Sequence, residues 1–231
     1  MKIYAISDLH LSLSGEKPMD IFGDKWEGYL DKIKLDWQEK VSEEDVVLIC
    51  GDISWAMKLD GALTDFSWFD GLKGKKILIR GNHDYWWQGI TRIRESLPSG
   101  FFALQNDAVK IGNIVFCGSR GWAVEGSPDF DEHDRHIYER EAERFKLALS
   151  SAKKLMEDGD RLICLIHYPP FNVRREQSLF TEIFENNGVD KVVYGHLHGK
   201  GVVPYYRINI NGVEYILSSC DQVENKLVEV L

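Results

Sequence analysis

Long apolar runs are missing from this chain; none approaches the roughly 18–20 residues that crossing a bilayer requires. The N-terminal MKIYAISDLH lacks the basic start and small-residue cleavage pattern of a signal peptide, so a soluble, cytoplasmic protein is expected. Cysteine is scarce: Cys50, Cys117, Cys164 and Cys220 stand singly, mostly inside apolar runs, with none of the paired spacing of a zinc knot or redox motif. They read as small buried hydrophobes in a reducing compartment. Positive charge is in deficit, with 28 basic against 37 acidic residues and a formal charge of −9. Such a surface repels nucleic-acid backbones and anionic membranes, so neither long nucleic acid nor membrane is an expected partner. No repeat, low-complexity tract or Pro/Gly/Ser linker divides the chain. The 231 residues, 44% of them hydrophobic, are therefore read as one domain, residues 1–231, which buries roughly 70–75% of its unfolded surface.

Short apolar runs at residues 3–7, 46–50, 76–79, 162–166 and 189–194 are nearly continuous, as strands buried on both faces should be. Helical patterns at 26–37, 60–72, 88–97 and 178–185 separate them, which gives the alternation of an α/β fold. Two hairpins are expected, 108–111 with 114–117 across Gly112-Asn113 and 206–210 with 213–217 across Asn211-Gly212, so the sheet structure is mixed. Tyr138, Ala142, Phe145, Leu149, Ala152 and Met156 recur at steps of four and three and predict the longest helix, ended near Gly159.

The chemistry lies just beyond the apolar runs: Ser7-Asp8-Leu9-His10, Gly51-Asp52, Gly81-Asn82-His83-Asp84, Ile166-His167 and Gly195-His196-Leu197-His198. Five of the seven histidines fall at these strand ends, and only His133 and His136 do not. In open α/β sheets ligands bind at the carboxyl ends of the strands, where such residues converge if the strands are parallel. A lone Asp-x-His or Gly-Asp is ordinarily a turn or cap. The whole set in this order points to metal.

Asp8, His10, Asp52, Asn82, His167, His196 and His198 supply seven donors, too many for one tetrahedral ion and enough for two if a carboxylate bridges. Four imidazoles disfavour magnesium and calcium, and the lack of thiolates disfavours a structural zinc or iron–sulfur centre. Two divalent transition ions remain, drawn from manganese, iron, zinc or cobalt. Two such ions beside two aspartates leave a net charge of about +2, suited to a bridging hydroxide and an anionic oxyacid such as a phosphate ester.

This series resembles the calcineurin-like metallophosphoesterase superfamily over nearly the whole chain, from residue 3 to about 220. Gly51-Asp52-Ile53-Ser54-Trp55, Asp84-Tyr85-Trp86-Trp87, Gly118-Ser119-Arg120-Gly121-Trp122 and His167-Tyr168-Pro169-Pro170 are further similar to a small bacterial subgroup described as predicted phosphohydrolases. The resemblance implies two mixed β-sheets packed as a sandwich with flanking helices. It also implies Asp8, His10 and His198 on one metal, Asn82, His167 and His196 on the other, and Asp52 between them. His83 is then left free for catalysis. Trp55 stands where many members carry a second aspartate, a departure that touches what supports the ligands.

On this reading a metal-bridging hydroxide attacks the phosphorus of a small phosphomonoester or phosphodiester, and His83 protonates the leaving oxygen with Asp84 orienting its ring or favouring its protonated form. Arg120 is the candidate phosphate clamp. Residues 119–136, with Trp122, His133, Arg135 and His136, form a candidate substrate rim, and residues 11–24 a loop placed where a lid would serve. Arg174 and Arg175 are candidates for attracting an anion. Tyr85, Trp86 and Trp87 offer a stacking surface, although two of the three fit a core better. Other readings stay open: a metal-bound scaffold or interaction module of the same fold, or a protein phosphatase. The native substrate and oligomeric state are not legible.

Overall fold

In the computed structural model, which describes residues 1–13, 15, 17–199 and 206–231, the apolar runs form strands and the periodic segments between them form helices. The strands are β1 (Ile3–Ile6), β2 (Val46–Ile49), β3 (Lys75–Leu78), β4 (Phe101–Ala103), β5 (Asp107–Ile111), β6 (Ile114–Ser119), β7 (Arg161–Ile166), β8 (Lys191–Tyr194), β9 (Arg207–Ile210), β10 (Val213–Leu217) and β11 (Val228–Glu229). The helices are α1 (Tyr29–Lys40), α2 (Leu59–Asp65), α3 (Ile90–Ser96), α4 (Glu132–Leu155) and α5 (Leu179–Asn186).

Two mixed sheets result, ordered β11-β1-β2-β3-β4 and β5-β6-β7-β8-β10-β9. Strands β1 to β4 are parallel, as are β6, β7, β8 and β10; antiparallel pairing is confined to β11, β5 and β9 at the edges. Side chains alternate across each strand. Ile3, Ala5, Val46, Leu48 and Ile77 thus enter a layer shared with Phe116, Ile163, Leu165, Val193 and Ile216 of the second sheet. Their neighbours Tyr4, Ile6, Val47 and Ile49 face outward onto Ile33, Trp37 and Phe66. The second sheet is covered in the same way, with Phe145, Leu149, Phe180 and Phe184 over Val115, Cys164 and Tyr215. Helices therefore flank both sides of a two-sheet sandwich, and full burial of the short strands follows from cover on both faces. All four cysteines are buried free thiols. No helix among the described residues is long and apolar enough to cross a membrane.

Several boundaries differ from the sequence reading. Helix α1 starts at Tyr29 rather than 26, because Gly28 is left-handed at φ 58° and the residues before it form a 3₁₀ turn, Asp24–Trp26. The segment 60–72 divides into α2 and a 3₁₀ turn, Phe66–Phe69, whose tighter winding packs Phe66 against Phe69 at 5.5 Å. Helix α4 begins six residues before the first apolar position counted, through a capping box in which Asp131 accepts from the Asp134 amide and Asp134 accepts from that of Asp131. Within the candidate rim, residues 119–136, Ser119 ends β6 and 132–136 are the first turns of α4, with His133 and His136 exposed to solvent.

Candidate metal centre

Because β1, β2, β3, β7 and β8 all run parallel within their sheets, the loops that follow them gather at the carboxyl ends of the strands. Each chain must turn at once to keep its polar side chains over that end. Asp8, His10, Asp52 and His196 do so in the left-handed region, at φ 58°, 46°, 52° and 68°. Asp and His tolerate this conformation better than branched residues, at a cost of order 1 kcal/mol each. The first two loops are tied together by Asp8 N–H to Gly51 O (3.1 Å) and His10 N–H to Asp52 O (2.9 Å).

Glycine is required where the loops touch. A Cβ on Gly51, whose φ is +93°, would stand 2.7 Å from both Gly81 Cα and His167 Nδ1. Gly51→Ala is expected to destabilise the protein by roughly 2–5 kcal/mol from backbone strain and overpacking. Urea unfolding of the purified variant checks this, and an unchanged midpoint refutes the tight approach.

The seven expected donors are brought together. Ligand atoms of Asp8, His10 and His198 lie within 4.8 Å of one another, as do those of Asp8, Asp52 and His167. Asp52 Oδ2 is 3.8 Å from His10 Nε2 and 3.6 Å from His167 Nε2. Asn82 Oδ1 sits 2.7 Å from His167 Nε2 and 2.9 Å from His196 Nδ1. Around them, Asp8 accepts from Ser7 Oγ (2.6 Å) and from the His196 amide, Asp52 Oδ1 accepts from the His83 amide (2.8 Å), and His167 Nδ1 is 2.8 Å from Cys50 O. The last contact fixes the His167 ring so that its Nε2 faces the centre.

Both ring nitrogens of His10 and Asp52 Oδ2 are buried with no hydrogen-bond partner among the described residues. An orphaned buried acceptor costs stability unless something satisfies it. Electrostatics point the same way. Burial, with Asp8 and Asp84 nearby, pushes the Asp52 carboxyl well above the usual carboxylate range. Burial likewise lowers His167 to about 3 and His196 to about 4, and drives His10 far below the ordinary imidazole value, helped by His198 and His83. Lone-pair nitrogens held neutral around a carboxylate short of positive charge suit a divalent cation, and the donor set fits a metal.

The remaining candidates separate. His83 is half-buried, and its ring meets His10 at 5.6 Å and Trp55 at 4.6 Å; its Nδ1 has no partner among the described residues. Burial first, then His198, lowers its pKa. The expectation that Asp84 orients this ring is not met. The Asp84 carboxylate instead accepts from the amides of Gly81 (2.7 Å), Asp52 (2.9 Å), Ile53 (2.9 Å) and Ser54 (3.2 Å) and from Trp86 Nε1 (2.9 Å). It knots the loop after β2 to the loop after β3, and so positions Asp52 and Asn82.

Arg120 lies over the Trp122 ring at 4.6 Å and 3.8 Å from the buried carboxylate of Glu141. The Arg120 carbonyl accepts from the amides of His167 (3.0 Å) and Tyr168 (3.3 Å), and the Tyr168 ring packs on His196 at 4.2 Å. Arg174 and Arg175 are exposed, and Arg174 is 3.7 Å from Glu176. Trp86 and Trp87 are core residues, while Tyr85 is 49% exposed. Within 11–24, Leu11 and Met19 are buried and the Leu13 amide donates to Asp65; Ser14 and Glu16 of that segment lie outside the described residues.

Sequence reasoning passed over Arg80, which directly precedes the Gly-Asn-His-Asp motif. Its Nε is buried without a hydrogen-bond partner among the described residues, and its charge, after burial, helps lower the Arg120 pKa. The signal was available: a cation between the apolar run that ends at Ile79 and the Gly81-Asn82-His83-Asp84 motif. Trp55 occupies the departure position and stacks on His10, with centroids 4.7 Å apart and planes at 20°, so a ring contact supports this candidate donor.

A two-sheet sandwich with aspartate, histidine and asparagine converging at its parallel strand ends defines a metal-dependent hydrolase class. The profile of the family described as calcineurin-like phosphoesterase matches residues 1–200, and the chain belongs to that family. It is thus a metal-dependent phosphoester hydrolase. No curated protein matches the sequence significantly. Solved structures share the fold at low identity. A Thermus thermophilus protein has a TM-score of 0.60 and 12% identity, with 98% of this chain and 96% of that one covered. Phosphopantetheinyl hydrolase from Mycobacterium tuberculosis gives 0.54 and 15%, covering 100% and 95%. A protein of unknown function from Aquifex aeolicus gives 0.51 and 16%, covering 99% and 95%.

Proposed function

We propose that the protein hydrolyses a small phosphomonoester or phosphodiester at a dinuclear centre. Asp8, His10 and His198 hold one divalent transition ion, Asn82, His167 and His196 hold the other, and Asp52 is shared. The observation that carries this reading is the orphaned Asp52 Oδ2, less than 4 Å from a ring nitrogen of each set. When bound, such ions lower the pKa of water from about 15.7 to about 7 and offset phosphoryl charge.

The chain's own residues supply the rest. His83 stands at the edge of the donor cluster with a ring free to donate an N–H, and finally a proton, to the leaving oxygen. Arg120 is placed by Glu141, which also accepts from Ser119 Oγ (3.0 Å) and pairs with Arg144, and it clamps a phosphoryl oxygen of the substrate. With a formal charge of −9 around it, a local cationic centre selects compact anions over long polyanions.

Metal analysis of protein purified without added metal, together with assays on bis(p-nitrophenyl) phosphate, p-nitrophenyl phosphate and phosphopeptides, tests the proposal. Turnover confined to phosphopeptides would make the protein a protein phosphatase. Metal without any turnover would support a scaffold. Arg120→Ala is expected to raise KM about tenfold with a smaller change in kcat, the pattern of lost substrate binding. Unaltered KM and kcat remove the clamp.

A further inference from the structure

Trp55 has a side that the hydrolytic chemistry leaves unused. Its indole N–H donates to Met19 Sδ (3.2 Å), which fixes the ring, and the ring is only half-buried. Lys17 Nζ lies 4.7 Å from its centroid. Lys17 is exposed, so a ring surface reached by its ammonium group is open to ligands as well. Trp55, Lys17, Ala56, Met57 and Lys58 line a cavity of about 460 Å³, and Met57 is 65% exposed. This volume suits a heterocycle with its sugar better than a single phosphate.

The location gives the cavity its meaning. Trp55 touches the His83 ring at 4.6 Å, and the exposed Tyr85 meets the same ring edge-on at 6.2 Å. If His83 protonates the leaving oxygen, whatever that oxygen carries continues past His83 onto aromatic surface. A nucleobase stacks on a π-face whatever its identity.

We propose that Trp55 is a stacking platform for the base of a nucleotide substrate, with Lys17 displaced from the ring when the base arrives. This deepens the phosphohydrolase reading and rests on it. The reaction is balanced as hydrolysis: the P–O bond to the nucleoside breaks, its oxygen leaves with the electron pair and takes the His83 proton, water supplies the hydroxyl now on phosphorus, and the second proton of that water restores His83.

The experiment is calorimetric titration of metal-loaded protein with AMP, UMP and ribose 5-phosphate, which share the phosphate and 5′-oxygen and differ in the base. Both nucleotides are expected to bind roughly tenfold more tightly than ribose 5-phosphate, as one stacked base provides. Trp55→Leu should narrow that ratio to within about twofold, and Trp55→Phe should keep most of it. Equal binding of all three by the wild type overturns the platform, and needs no variant to fold. So does a ratio that survives in Trp55→Leu. Hydrolysis is read separately on bis(p-nitrophenyl) phosphate. Loss of turnover there with the base preference intact sinks the hydrolase reading alone, and turnover without base preference sinks the platform alone.

Discussion

Asp52→Ala is expected to abolish hydrolysis, by at least about 10³-fold, and to lower the metal content of the purified protein. The carboxylate lies between His10 and His167, with one oxygen engaged by the His83 amide and the other without a hydrogen-bond partner among the described residues. Its removal separates the two donor sets. Without metal the variant gains in one respect, since a buried carboxyl crowded by Asp8 and Asp84 is no longer desolvated. The thermal stabilisation that added Mn²⁺ or Zn²⁺ gives the wild type should therefore shrink in the variant, even if its metal-free melting temperature is higher. Two equivalents of metal retained by Asp52→Ala, measured by elemental analysis after desalting, would refute the shared position.

His83→Ala should separate chemistry from metal binding. A proton donor of this kind contributes about 10²–10⁴ in rate, and that is the expected loss in kcat at full metal occupancy. The His83 side chain contacts His10 and Trp55 by ring packing only, while the Asp52 carboxylate is held by the His83 main-chain amide, which alanine keeps. Metal content should thus stay within error of wild type. A substrate with a p-nitrophenolate leaving group, which needs little protonation, should lose less than an alkyl phosphate. Equal losses on both would assign His83 a positioning role instead.

The donors were legible because each follows an apolar run, and buried parallel strands deliver their carboxyl ends to one place. Asp84 was misleading for a local reason. Adjacency to His83 suggested a pair, yet the carboxylate turns inward to four amides and Trp86. No spacing rule exposes a side chain that bonds to main chain from another loop. Strands β4 and β11, three and two residues long, are too short to show a period of two. The first turn of α4 is polar and is set by the Asp131 cap, so apolar spacing alone gives no exact boundary there. Trp55 was visible as a departure, but its contacts with His10, His83 and Lys17 depend on three separate loops.

Asp8, His10, Asp52 and His196 share a left-handed backbone that glycine would adopt without penalty. Backbone conformation alone thus favours glycine at four positions where the proposed metal centre uses a side chain. Glycine at any of these positions would relieve the backbone and remove a donor, so stability and metal binding pull in opposite directions there. In the laboratory, the same tension makes inactivated versions of this protein promising as robust scaffolds.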